Sequence, residues 1–288
     1  MLPPVYRDGV FKRASRKGAF LLLWPVLYPR VRPGPLRRGG AKQHPIYFYH
    51  VQKTAGTSLA KAFESLGGED PNDVESRMAW PARVARSGDY VFLHKGDNLI
   101  LRMVPYSFAW SHIPYWKIRL APSVFTITIL RDPVERVLSL YHFGRDTHSN
   151  RSNKFKSSPY LRNLAAKGFG SFLAELDPSL LLNQLYIFSK DFDPIEAAEN
   201  IRSLSLYFFT ESFDLGLSAL NASLELPLSV RNERAIVRSL EHLTDIDVSR
   251  LREQLEPEYQ MISMLAKLPG PGFVGNFPIP KLGASGQV

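Results

Sequence analysis

Runs of β-branched and aromatic residues recur along the chain, alternating with stretches whose apolar positions repeat every three to four residues. Ile46 to Val51 (IYFYHV) is the first such run and predicts a short buried strand. A polar loop, Gln52 to Ser58, follows it. Leu59, Phe63 and Leu66 then stand at i, i+4 and i+7, which predicts a helix with one apolar face, stopped by Gly67-Gly68. Val124 to Leu130 (VFTITIL) predicts a strand buried on both faces. Arg131 comes directly after it. Asp132 suits an N-cap and Pro133 a first helical turn, and Val134, Val137, Leu138 and Tyr141 line the apolar side of the helix they open. Tyr90 to Leu93 and Leu206 to Phe209 read as further strands. Residues 69–90 are polar and Pro-interrupted, which predicts short helices and loop. Helical periodicity covers 160–175, 178–189, 195–203, 213–224, 231–241 and 247–266, the last disturbed at Pro257. Strands alternating with helices imply an α/β protein: a mainly parallel sheet flanked by helices on both faces, with a helical C-terminal region. Ligands of such sheets bind beyond the carboxyl ends of the strands.

Charge changes this picture at one end only. The chain of 288 residues carries a formal net charge of +9. Residues 1–44 hold ten Lys/Arg against one acid, Asp8, and the rest of the chain is balanced. The body is therefore not a basic nucleic-acid binder, and the basicity belongs to an arm. The arm contains one apolar run, Phe20 to Tyr28, too short to span a bilayer and interrupted by Pro25. No small-x-small cleavage site follows it, which argues against a secretory signal and for a cytoplasmic protein. A basic arm with a Trp/Leu cluster can contact an anionic membrane face peripherally; the plainer expectation is a solvated, flexible extension. The Pro/Gly/Arg stretch 32–40 reads as its linker. The organisation expected is thus an arm over 1–44, one α/β domain over 45–268 and a loose tail over 269–288. The chain has no cysteine, which excludes a disulfide scaffold, a thiolate metal site and a cysteine nucleophile. No ligand cluster with metal spacing stands out.

Two strand–turn–helix segments carry candidate chemistry. A loop of small residues that opens a helix presents backbone N–H groups and a partial positive charge to a phosphate. Here Lys53, Thr54, Ala55, Gly56, Thr57 and Ser58 form that loop, with Lys53 adding a full charge and the hydroxyls adding donors. A nucleoside-triphosphate P-loop places its Lys after the second Gly, whereas Lys53 precedes Gly56 and no leading Gly is present, so a Mg-ATP-dependent kinase fits poorly. In the second segment Arg131 ends the strand and Ser139 lies about two turns into the helix. Arg136 and Ser139, three residues apart, are expected on one polar face. A guanidinium and a hydroxyl at a strand end can hold another phosphate.

Together, Lys53-Thr54-Ala55-Gly56-Thr57-Ser58 and Arg131-Asp132-Pro133-x-x-Arg136-x-x-Ser139-x-Tyr141 resemble the 5′-phosphosulfate loop and the 3′-phosphate motif of the sulfotransferases. The variant is similar to the branch acting on polysaccharides, the heparan/uronyl 2-O- and 6-O-sulfotransferase-like group with bacterial members. The resemblance implies a P-loop-like fold and 3′-phosphoadenosine 5′-phosphosulfate as donor, with no metal required. It implies that Lys53 meets the phosphosulfate, that Thr54 to Ser58 wrap the 5′-phosphate, and that Arg131 and Ser139 hold the 3′-phosphate. It also implies a glycan-type hydroxyl acceptor and a base between the motifs, for which His112 in Ser111-His112-Ile113-Pro114-Tyr115 is the candidate. His94 is its rival, His50 reads as structural, and Glu64 and Asp97 are the carboxylates next in line. Residues 143–170 are locally basic and could line an acidic-glycan cleft or simply be solvated. An inactive fold that binds anionic polymer or membrane is the remaining alternative.

Overall fold

The computed structural model describes residues 36–38, 41–78, 83–94, 98–145, 158–230 and 245–276. Nine strands fall within them: β1 (Leu36–Arg38), β2 (Ala41–Gln43), β3 (Ile46–Tyr49), β4 (Val84–Ser87), β5 (Tyr90–His94), β6 (Phe108–Ser111), β7 (Phe125–Leu130), β8 (Leu206–Phe209) and β9 (Phe273–Val274). The helices are α1 (Gly56–Glu64), α2 (Pro71–Arg77), α3 (Asn98–Met103), α4 (Pro133–Arg145), α5 (Pro159–Ala166), α6 (Phe169–Glu175), α7 (Pro178–Leu181), α8 (Asn183–Phe188), α9 (Pro194–Arg202), α10 (Phe213–Leu224), α11 (Asp245–Gln254) and α12 (Glu256–Lys267).

Seven strands form one sheet in the order β4-β5-β6-β3-β7-β8-β9. Every pairing is parallel except that of β4 with β5. After β3 the chain builds one flank of the sheet, then crosses to the other flank at β7. The loop after β3 therefore leaves the sheet where the winding direction switches, the position at which such sheets bind ligands.

Both faces of the sheet are covered, as continuous apolar strands require. Tyr47, Tyr49, Leu93, Tyr207 and Phe209 pack with Leu185 and Ile187 of α8, Ile201 of α9 and Met261 of α12. Their alternates Phe48, Phe92, Phe108, Ile127 and Phe208 pack with Leu59 and Phe63 of α1, Val74 of α2 and Leu220 of α10. A third cluster joins Val137 and Tyr141 of α4 to Leu161 of α5, Phe172 of α6 and Leu251 of α11.

Three departures from the sequence expectation have local causes. The linker expected over 32–40 overlaps an antiparallel pair, β1 with β2. Gly39-Gly40 stands between the two strands in sequence, the kind of pair that hairpin turns favour. β4 and β6 lie in stretches with no predicted strand, because each is only four residues long and takes its extended form from a partner edge. The expected tail starts with an ordered piece: Phe273 and Val274 pair with β8. Pro257 acts as expected, sitting in the first turn of α12 after α11 has ended. The apolar run at 20–28, the helix expected at 231–241 and the tail beyond 276 lie outside the described residues. No helix among the described residues is long and apolar enough to cross a membrane.

Candidate active site

The loop between β3 and α1 turns back on itself through two left-handed residues, Lys53 (φ 68°) and Ala55 (φ 59°). Neither is glycine, so each costs roughly 1–2 kcal/mol of backbone strain. Alternating left-handed residues turn successive amides toward one concavity, the geometry of an anion nest. Ala55 is the N-cap of α1 and supplies no side-chain cap. Its carbonyl accepts from the amides of Ser58 and Leu59 at 3.0 and 3.3 Å, while the amides of Gly56 and Thr57 head the helix, where no intrahelical acceptor exists. The loop thus offers an anion unsatisfied donors at the positive end of a helix.

Thr54 is placed differently from the sequence expectation. It is fully buried, and its hydroxyl donates to the carbonyl of Val51 at 3.0 Å. That bond fixes the turn, and Thr54 can meet a phosphate only through its amide. Thr57 is exposed and Ser58 half-buried, so both hydroxyls remain at the surface of the loop. Gly56 is required by a close approach. A Cβ there would lie 2.2 Å from the ring of His50. Gly56→Ala should push the loop off His50 and cost about 1–3 kcal/mol of stability by overpacking; an unchanged urea midpoint would show that the ring yields.

The second motif reaches the first. β7 lies beside β3, and the hydroxyl of Thr128 donates to the carbonyl of Tyr49 at 2.9 Å. Arg131, just past the end of β7, points across the gap: its Nη1 donates to the carbonyl of Lys53 at 3.3 Å, and its Nη2 pairs with Glu135 at 3.4 Å. The ammonium of Lys53 rests over the ring of Phe143, 4.2 Å from its centroid. Glu135, Ser139 and Phe143 follow one another at i+4 spacing, so Ser139 stands on α4 between the side chains that touch Arg131 and Lys53. Asp132 caps this helix, its Oδ1 accepting from the amide of Glu135 at 3.0 Å.

Arg136 does not share this face. It is fully buried, paired with the buried Glu258 of α12 at 3.5 Å, and it donates to the carbonyls of Leu180 and Leu181. Burial lowers its pKa, and the Glu258 carboxylate opposes that shift. The single polar face expected for Arg136 and Ser139 does not form: Ser139 stays half-exposed, while Glu258 and the carbonyls of Leu180 and Leu181 draw Arg136 into the interior.

Four aromatic and imidazole side chains line the adjoining strand ends. His94 ends β5, Trp110 lies on β6, His112 follows β6, and His50 follows β3. His94 stacks on Trp110 at 3.7 Å between centroids, and His50 packs against His112 at 4.4 Å. His50 is buried, and its pKa is held well below the usual imidazole range by burial, then by His112, His94 and Lys53. It is a neutral support beneath the loop. His112 is half-buried and its Nδ1 lies 2.6 Å from the carbonyl oxygen of His50. A carbonyl only accepts, so Nδ1 carries the proton, and any base function of the ring falls to Nε2.

Glu64 is the first of the two carboxylates next in line as base. It is buried at the far end of α1, where burial, with Glu75 adding to the effect and the Trp110 indole opposing it, pushes its carboxyl up to about 8. Asp97 lies outside the described residues, as do Arg151, Lys154, Phe155 and Lys156 of the basic stretch. Within that stretch Arg145 is exposed, and Lys167 pairs with Glu175 at 2.7 Å.

Residues 40–174 match the family model described as the sulfotransferase family. The sulfotransferase-matched segment contains Lys53 to Ser58, His112, Arg131 and Ser139. Among solved structures the chain is similar to mouse sulfotransferase SULT7A1 complexed with PAP, at 14% identity and a TM-score of 0.38, over 79% of this chain and 90% of that one. It is also similar to a sulfotransferase from Alicyclobacillus acidocaldarius, at 14% identity and a TM-score of 0.38, over 77% of this chain and 96% of that one. No curated protein sequence matches the chain. Among the described residues no three His, Asp or Glu side chains converge as metal ligands.

Asn183 is a site residue that motif reading misses. Its Oδ1 accepts from the amide of Gln52 at 3.0 Å and its Nδ2 donates to the carbonyl of Ser179 at 2.8 Å, which ties the start of the loop to α8. The available signal is a polar pair, Asn183-Gln184, inside the apolar run LLLNQLYIF.

Proposed function

We propose that this protein is a sulfotransferase that moves a sulfuryl group from 3′-phosphoadenosine 5′-phosphosulfate to a hydroxyl acceptor. The observation that carries the reading is the meeting of Arg131 with the Lys53 loop, inside the segment that matches the sulfotransferase family. The amides of Thr54 to Thr57, the hydroxyls of Thr57 and Ser58 and the ammonium of Lys53 bind the 5′-phosphosulfate. Arg131 and Ser139 bind the 3′-phosphate. His112 Nε2 takes the acceptor proton as the acceptor oxygen attacks sulfur and the sulfur–oxygen bond to the 5′-phosphate breaks. Lys53 and the loop amides stabilise the charge that develops on the departing oxygen. Such donors are worth roughly 3–4 kcal/mol each. As in phosphoryl transfer, positioning and charge neutralisation dominate, and no step requires a metal. The similarity of both motifs to the polysaccharide-acting branch favours a glycan hydroxyl as acceptor; a screen of glycans and phenols with labelled donor tests that choice. The N-terminal arm, with its excess positive charge, suits peripheral contact with an anionic membrane.

Calorimetric titration with adenosine 3′,5′-bisphosphate and with Mg-ATP separates this function from its rivals. The bisphosphate should bind well and Mg-ATP weakly. Preferential binding of Mg-ATP would support a kinase, and binding of neither would support an inactive fold. Lys53→Ala and Arg131→Ala should each weaken bisphosphate binding by about 1.5–3 kcal/mol, the worth of a hydrogen bond to a charged group. Circular dichroism should stay unchanged; lost helical signal in place of lost affinity would make these residues structural.

A further inference from the structure

Behind Arg131 lies a buried polar relay in which Gln184 and Glu258, both outside the two motifs, join Arg136 of the second. Gln184, Arg136 and Glu258 are each fully buried. The side-chain Oε1 of Gln184 accepts from the backbone amide of Arg131 at 2.9 Å, and its Nε2 donates to the backbone carbonyl of Arg131 at 3.0 Å. One side-chain amide thus grips both polar backbone groups of a single residue, as a neighbouring strand would. The grip comes where the sheet stops: the β7–β8 ladder ends at Leu130 opposite Phe209, and Arg131 is the next residue. Without Gln184 the backbone that aims the guanidinium would leave the sheet unsupported on that side.

The orientation of the Gln184 amide is itself determined. Glu258 Oε1 accepts from the Gln184 backbone amide at 2.8 Å, and Oε2 accepts from Nε2 at 2.9 Å. A carboxylate only accepts, so Nε2 must face Glu258 and the Arg131 carbonyl, leaving Oε1 for the Arg131 amide. Both Nε2 hydrogens are used. Arg136 balances the Glu258 charge and binds the carbonyls of Leu180 and Leu181, just before α8. An apolar side chain in this place would leave the Arg131 amide and carbonyl without these partners; the hydrogen-bonded arrangement defines the direction of the Arg131 backbone.

Resting on the proposed role of Arg131, we propose that Gln184 is a positioning residue for recognition of the 3′-phosphate, held in register by Glu258. It touches Arg131 and acts through it. Holding the guanidinium ready reduces the ordering cost of binding, and that cost bears on the 3′-phosphate alone.

The test compares two nucleotides on the folded protein: adenosine 3′,5′-bisphosphate, and adenosine 5′-monophosphate, which lacks the 3′-phosphate. In Gln184→Met the dissociation constant for the bisphosphate should rise about tenfold or more, while that for the monophosphate changes less than about threefold. If Gln184→Met does not fold, Glu258→Asp is measured instead. It keeps the charge opposite Arg136 and withdraws the acceptor from Gln184, and the same selective loss is expected. A variant that retains wild-type preference for the bisphosphate, or that weakens both nucleotides equally, overturns the inference while the Arg131 reading stands. A wild-type protein that binds the two nucleotides equally well overturns the 3′-phosphate reading of Arg131, and the inference with it.

Discussion

His112→Ala should lower turnover about 10²-fold or more while bisphosphate affinity stays near wild type. The asymmetry follows from where the imidazole stands. His112 follows β6, beside the β3 loop, and its Nδ1–H is committed to the carbonyl of His50. The proposed base is therefore Nε2, and neither ring nitrogen is assigned to a phosphate. His94→Ala is the matched control. His94 ends β5, one strand further from the loop than β6, and stacks on Trp110. Its removal should cost stability more than turnover. An inactive His94→Ala beside an active His112→Ala would move the base to His94. If His112→Ala loses bisphosphate binding together with turnover, the residue supports the loop and its catalytic role fails.

Arg136→Met should destabilise the fold by about 3–5 kcal/mol, the cost of leaving one member of a buried ion pair without its partner. Glu258 would be left at zero exposure without its cationic partner, and the carbonyls of Leu180 and Leu181 would lose their donor. Urea unfolding at neutral pH measures the loss. Adding Glu258→Gln should recover part of it, because the uncompensated charge is then gone. A single variant with an unchanged midpoint would show that the pair contributes nothing net. This residue also separates two kinds of Arg in one motif. Arg131 is half-buried and faces the Lys53 loop, whereas Arg136, five residues on, is interior. Bisphosphate binding should respond to Arg131 through direct contact and to Arg136 only through the fold.

Much of this organisation follows from local chemistry that a single sequence carries. The runs at 46–51, 124–130 and 206–209 can only be satisfied by burial on both faces, which makes them central strands of a helix-covered sheet. Asp132-Pro133 starts α4 because a cap and a fixed φ act within one turn. The loop at 52–58 heads a helix for the same local reason, and its amides are available wherever that helix packs. Excess charge confined to residues 1–44 is likewise a property of the sequence alone.

Other features exist only because distant segments meet. β6 has four residues and becomes a strand because β3 and β5 hold both of its edges. Thr54 looks like a phosphate-facing hydroxyl until the turn brings it to the carbonyl of Val51. Arg136 follows the spacing of a solvent-facing partner of Ser139, yet Glu258, 122 positions later, draws it into the interior. The tautomer of His112 is set by a carbonyl 62 residues away, and the backbone of Arg131 by an amide 53 residues away. Periodicity and caps are short-range, so the sequence determines which strands and helices form and which residues stand at their ends. The direction of a buried polar side chain depends on the partner that satisfies it, and the sheet order β6-β3-β7 with α8 and α12 packed behind it decides which partner that is.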